Sequence, residues 1–169
     1  WVSGDKRAEL QYLIPDVMEY VKRGFVFASI DYRLADQVTK YPAPVEDVFD
    51  ALRFITAHAG ELGVDPDRIG VIGTSAGGHL GLLAALAPEG AFPGDVDLAD
   101  VRFRVRTMVS WSGPTDLYVM AQRGKVAAEG IAAFMGPEHD VSPQLYEQAS
   151  PARYAEAAGA AAGAPSLLL

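Results

Sequence analysis

Apolar residues recur every three or four positions at Leu10, Leu13, Ile14, Val17, Met18 and Val21, the spacing of one helix face, and the pattern ends at Lys22-Arg23-Gly24. Pro15 falls inside it and predicts a kink or a restart. Phe25-Val26-Phe27-Ala28-Ser29-Ile30 is instead a continuous apolar run rich in aromatic and β-branched residues, which predicts a strand buried on both faces. After a loop at Tyr41-Pro42-Ala43-Pro44, helical spacing returns at Val45, Val48, Leu52, Ile55 and Ala59. The turn Asp65-Pro66-Asp67 leads into a second short apolar strand, Arg68 to Gly73.

Downstream, Leu80 to Ala87 is Ala/Leu-rich and helical, and Val105 to Trp111 reads as a third strand ended by Gly113-Pro114. Ser142-Pro143 and Ser150-Pro151 each place a capping hydroxyl before a proline suited to the first helical position. Ala155 to Ala164 reads as a loose loop or a frayed helix, because its interrupting glycines each weaken a helix by about 1 kcal/mol. The apolar run after Pro165, Ser166 to Leu169, reads as the start of a buried strand. This alternation of strands and helices predicts an α/β fold: a mostly parallel sheet with helices on both faces, one domain over residues 1–169 and about four strands.

Composition narrows the function more than the fold. Half of the 169 residues are hydrophobic and 21% are charged, which excludes a disordered chain. Twenty-two acidic against 14 basic residues give a net charge of -8, and no Lys/Arg cluster is present to neutralise phosphates. Nucleic acid is therefore not an expected partner. Apolar runs of about eight residues fall short of the ~20 that a membrane helix needs. The absence of Cys excludes disulfides and thiolate chemistry, and His58, His79 and His139 have no metal-binding spacing, so no metal site is expected.

One motif carries chemistry. Gly73-Thr74-Ser75-Ala76-Gly77 lies where a Val/Ile strand stops and an Ala/Leu helix starts. Chance yields such a pattern with a probability of about 0.1 in a chain this rich in glycine, so the pattern alone is weak and its context decides. A strand turning abruptly into a helix forces the serine into a strained conformation, and flanking glycines let strand and helix approach. The turn exposes the serine oxygen and aims the first helix amides at an oxyanion formed there. Phosphate binding does not fit, because His79 follows Gly78 where a P-loop requires Lys.

With D-P-D-R-I-G-V-I before it and S-I-D-Y-R-L with a Pro-bearing loop further upstream, G-T-S-A-G-G-H-L resembles the α/β-hydrolase fold. The resemblance is greatest to carboxylesterases of the hormone-sensitive-lipase and feruloyl-esterase-like groups and extends over nearly the whole chain. It implies Ser75 as nucleophile, the Ala76 N–H as an oxyanion donor and Gly73 and Gly77 as elbow glycines. It also implies that W-V-S-G-D-K-R continues an oxyanion loop whose glycines precede Trp1, and that S-P-A-R-Y-A…P-S-L-L-L approaches the strand before the acid. On that expectation the chain is an internal piece of a larger domain. The family's acid and base, which follow the serine in the order Asp, then His, lie outside it, and the piece alone is inactive. The implied reaction is hydrolysis of a small-molecule carboxylic ester through an acyl-enzyme, needing no cofactor.

Internal candidates exist for the missing groups. Asp116 follows the third strand and His139 follows Asp116, an order that permits a Ser75–Asp116–His139 triad. The competing readings are a helix cap for Asp116 and a solvated loop for His139. His79 reads as a packing or hydrogen-bonding residue and His58 as a complement to a helix C-terminus. Asp31-Tyr32-Arg33 reads as an ion pair or loop anchor. Trp1 and Trp111 suit either a substrate pocket or the core, and Val126 to Phe134 with Met135 suits either a cap over the site or a buried helix. Other functions sharing the elbow stay open: a serine peptidase, an aryl-formamide hydrolase, a hydrolase-like binding module without chemistry, or a fragment with no function.

Overall fold

Strands β1 (Ile69–Thr74), β2 (Val105–Trp111) and β3 (Ser166–Leu168) form a parallel sheet in the order β1-β2-β3. The structure is a computed structural model and describes residues 1–136, 142–160 and 163–169, without the side chains of residues 8–10, 12 and 13. β1 pairs with β2 from Ile69↔Val105 to Thr74↔Trp111, and β3 takes the other edge of β2 at Thr107↔Ser166 and Val109↔Leu168. Around the sheet lie α1 (Lys6–Lys22), α2 (Ala43–Ala57), α3 (Ala59–Leu62), α4 (Ala76–Leu86), α5 (Leu117–Ala121), α6 (Lys125–Met135), α7 (Pro143–Gln148) and α8 (Ala152–Ala160).

Parallel neighbours need a crossover, and α4 provides it between β1 and β2. Its composition suits the position. Nearly every residue from Gly78 to Leu86 is buried, because α4 lies against both strands on one side and against α2 on another. Gly81 brings it close to the sheet: a Cβ there would stand 2.9 Å from Met108 Sδ and 3.0 Å from Val71 Cγ1. The core is built from the predicted face of α2 (Val45, Val48, Leu52, with Phe49), from Leu80, Leu82 and Leu83 of α4, and from Met108, Leu117, Ile131 and Phe134. Arg53 is buried as well. Its guanidinium donates to the carbonyls of Phe92 (2.8 Å) and Pro93 (3.0 Å) and pairs with Asp50 (2.8 Å), holding the loop after α4 against α2.

Several elements differ from the sequence expectation. Phe25–Ile30 forms neither strand nor helix, so the described sheet has three strands rather than four, and Phe25 and Val26 are 57% and 55% exposed. The physical reason is that a strand exists through its neighbour's hydrogen bonds, and no described strand lies beside this segment. β3 occurs where predicted, but at the sheet edge its leucines are exposed rather than buried. α1 covers the predicted residues and continues through Pro15, with Ile14, Met18 and Val21 exposed.

Of the two readings for Ala155 to Ala164, the helix holds as far as Ala160, in α8, and the loose loop does not apply there. Alanine is the best helix former, and Tyr154 and Ala158 pack against the core, which outweighs the single internal Gly159. Ser142 precedes α7 with Pro143 in its first turn, but its side chain caps nothing. Ser150 is not a cap for α8 either: its hydroxyl donates to Tyr146 O (2.7 Å) and accepts from Leu117 N (2.9 Å), joining α7 to α5.

Candidate active site

β1 ends at Thr74 and α4 begins at Ala76, so one residue, Ser75, makes the whole turn. It does so at φ 50°, ψ −113°, a left-handed backbone for a residue that carries a Cβ. Such a conformation costs about 1–3 kcal/mol and persists only where the surroundings impose it. Two hydrogen bonds impose it here. Ser75 N donates to Trp111 O at 2.7 Å, which ties the turn to the end of β2, and His79 N donates to Ser75 O at 3.0 Å, which starts the helix. The Ser75 residue is exposed and its hydroxyl caps no amide. The amide of Ala76 belongs to the first turn of α4, where N–H groups have no partner within the helix.

Close backbone approach fixes this geometry. A Cβ on Gly73 would lie inside van der Waals contact of the Gly77 carbonyl group and 2.7 Å from Gly78 N. A Cβ on Gly78 would meet Ser110 Oγ at 2.7 Å and Gly113 Cα at 3.0 Å, and one on Gly113 would meet His79 N at 2.7 Å. Gly77, the second glycine of the G-x-S-x-G pattern, has nothing within 4 Å of its Cβ position among the described residues. The glycines in contact are therefore Gly73, Gly78 and Gly113. The Gly-Gly step and the Gly-Pro turn were visible in the sequence, but not their meeting.

His79 is fully buried. Its Nδ1 accepts from Trp1 Nε1 at 3.0 Å, and Nε2 lies 2.7 Å from the Ala149 carbonyl oxygen. Its ring stands edge-on to Trp1 and Phe134, and Trp1 stacks on Phe134 at 4.7 Å. Burial pushes the His79 pKa down to about 4, against a smaller upward pull from the Ala149 hydrogen bond. Both ring nitrogens are engaged, so His79 has none to offer Ser75.

The other candidates are dispersed. Asp116 is the N-cap of α5 and accepts from Val119 N at 2.9 Å. His139 lies outside the described residues. His58 ends α2, with Nδ1 2.9 Å from Phe54 O and its ring stacked on Phe54. Asp31 bonds the backbone and side chain of Lys6, and the Lys6 ammonium holds its pKa below the ordinary carboxylate value. Arg33 pairs with Asp47 of α2, which raises its pKa. Both serve as loop anchors. Trp111 pairs with Thr74 at the end of the sheet, is 55% exposed and meets the Ser75 turn through its backbone carbonyl. α6 sinks Ile131, Phe134 and Met135 into the core and leaves Val126 exposed. Between α5, the start of α6 and Trp1 lies a cavity of about 520 Å³ that Ser75 itself does not line.

The BD-FAE family profile matches residues 1–162. The chain belongs to the BD-FAE family. This BD-FAE chain is 38% identical over 117 residues to the probable carboxylic ester hydrolase LipM of Mycobacterium tuberculosis, a match covering 69% of the chain and 26% of LipM. It superposes on the propionate-bound thermophilic esterase Est2 of Thermogutta terrifontis with a TM-score of 0.70 at 26% identity, covering 99% of this chain and 55% of that one. A bifunctional GH43-CE protein of Bacteroides eggerthii gives a TM-score of 0.75 at 30% identity over 91% of this chain and 21% of that one. The BD-FAE chain thus spans about a quarter of LipM and about half of Est2. Its sheet and helices are part of an α/β-hydrolase fold. Among the described residues no helix is long and apolar enough to cross a membrane.

Two predictions arise from this geometry. Gly73→Ala destabilises the full-length BD-FAE protein by about 3 kcal/mol in denaturant titrations, because its Cβ meets unyielding backbone, whereas Gly77→Ala stays within about 0.5 kcal/mol of wild type. Equal losses would contradict the packing described. For His79, the unfolded chain binds a proton near pH 6.5 and the folded one only near 4. Stability therefore falls as pH drops through that window, by about 3 kcal/mol, and this part of the fall is absent in His79→Asn. Denaturant midpoints of the two proteins at pH 7, 5.5 and 4 test it.

Proposed function

We propose that this chain carries the nucleophile half of a serine-dependent carboxylic ester hydrolase. Ser75 Oγ attacks the ester carbonyl, and its proton passes to a histidine base. The Ala76 N–H donates to the oxyanion of the tetrahedral intermediate. Collapse expels the alcohol, which takes the proton back, and leaves an acyl-serine. Water then attacks the acyl-serine, returns a proton to Ser75 and releases the acid. No cofactor takes part in these steps.

The observation that carries this reading is the conformation of Ser75: a strained, exposed serine between a strand and the free amides of a helix start. Such strain has no structural use at a simple turn, where Gly would relieve it. The relatives named as ester hydrolases support the ester as substrate class. Gly73 serves as the elbow glycine that closes strand on helix, and Gly77 lies on the open side of the same turn, where a small residue leaves room for the reacting carbonyl.

The acid and base are proposed to come from elsewhere than the described residues. His79 and His58 are both held by carbonyl oxygens away from Ser75, and Asp116 is occupied as a helix cap. Asp116 with His139 is the internal alternative.

A fluorophosphonate probe labels Ser75 in the full-length protein, and Ser75→Ala abolishes labelling and lowers kcat for a short p-nitrophenyl ester by about 10³-fold or more. Turnover surviving in that variant would overturn the assignment. The 169-residue chain alone hydrolyses the same ester no faster than buffer; clear turnover there would instead favour Asp116 and His139.

A further inference from the structure

Besides Ser75, one further described residue other than glycine has a positive φ: Ser112, at 54°. It follows directly on β2 as Ser75 follows directly on β1. Thr74 and Trp111, the last residues of the two strands, are paired, so the two serines succeed one pair on neighbouring strands. A hydrogen bond joins the two turns. Ser75 N donates at 2.7 Å to the Trp111 carbonyl, which belongs to the Trp111–Ser112 peptide. Ser112 is exposed, and among the described residues its hydroxyl has no hydrogen-bond partner.

Packing explains the bend at Ser112 but not its side chain. Gly113 lies against α4, where a Cβ would stand 2.7 Å from His79 N, so the chain must turn as soon as it leaves β2. Glycine at 112 would make that turn freely, whereas a residue with a Cβ makes it under strain. What the serine adds is a hydroxyl, next to the peptide that holds Ser75. An ester has two oxygens for such a group to meet. The carbonyl oxygen becomes the oxyanion and takes the Ala76 N–H. One N–H donates one bond, so the bridging oxygen, which gains negative charge as the alcohol leaves, needs a donor of its own. We infer that Ser112 is a further catalytic residue: its hydroxyl donates a hydrogen bond to the bridging oxygen of the ester at Ser75. That bond strengthens as the alcohol departs, so it favours the transition state over the bound ester. Ser112 keeps its proton throughout, and the alcohol takes up the one held by the histidine base. This rests on Ser75 being the nucleophile.

In the full-length protein, Ser112→Ala lowers kcat/KM for phenyl acetate by about tenfold but for p-nitrophenyl acetate by only about twofold, because p-nitrophenolate leaves with less help. Ser112→Gly shows the same two losses although it relieves the backbone and raises the denaturant midpoint. Labelling of Ser75 by a fluorophosphonate, which expels fluoride rather than an alcohol, runs within about twofold of the wild-type rate in both variants. Equal losses for the two esters, unchanged kinetics in Ser112→Ala, or a midpoint that falls in Ser112→Gly overturns the inference. Should Ser112→Ala fail to fold, Ser112→Gly carries the same comparison of esters. The two readings fail differently. Normal labelling of Ser75, with both esters hydrolysed as in the wild type, counts against Ser112 alone. A wild-type protein that the probe leaves unlabelled at Ser75 counts against the nucleophile, and the role of Ser112 falls with it.

Discussion

The backbone contact among Gly73, Gly78 and Gly113 is the constraint on which the rest of the site depends. Any side chain at these positions would push α4 off the ends of β1 and β2. With α4 displaced, Ser75 N could no longer reach the Trp111 carbonyl, and the reason for its left-handed backbone would vanish. The strain at residue 75 is thus sustained by packing a few ångströms away. That packing is strong because it joins the sheet to a helix buried almost all round. A serine at the head of a less buried helix would relax into an ordinary turn.

The same helix serves two environments within one turn. Ser75 faces the opening above the sheet, while His79 lies in the core and binds the indole of Trp1. Residues four apart share a helix face, so this arrangement would be impossible were Ser75 itself helical. Its non-helical φ and ψ turn its side chain out of the register that His79 keeps. Strain at one residue therefore sends two side chains four positions apart into different surroundings.

The elbow was legible because its requirements are local: glycine, serine and an abrupt change from β-branched to Ala/Leu composition around residue 75. The buried face of α2 was legible for the same reason. Phe25–Ile30 misled because apolar composition marks what a segment would bury, whereas strand pairing depends on a neighbour that composition does not reveal. Ser150 misled because its hydroxyl has two partners distant in sequence or facing back along α7, and a capping pattern reads only forward. The stretch from Ala155 was only half legible, as loop or frayed helix, because helix propensity was judged without the core that Tyr154 and Ala158 reach. Gly78, Gly113 and the Trp1–His79 bond were hidden in the same sense: each is a meeting of positions 35 to 78 residues apart.

β1 exposes Ile72, and elsewhere in the chain Phe25 and Val26 stand open to water, as do Ile14, Met18 and Val21 of α1. Among the described residues β1 also has a row of peptide groups without a strand beside them. Surfaces of this kind recruit copies of themselves, edge to edge and oil to oil. Prepared as a free 169-residue polypeptide, the molecule is expected to scatter light increasingly as it is concentrated and to need a charged fusion partner or mild detergent to stay dispersed.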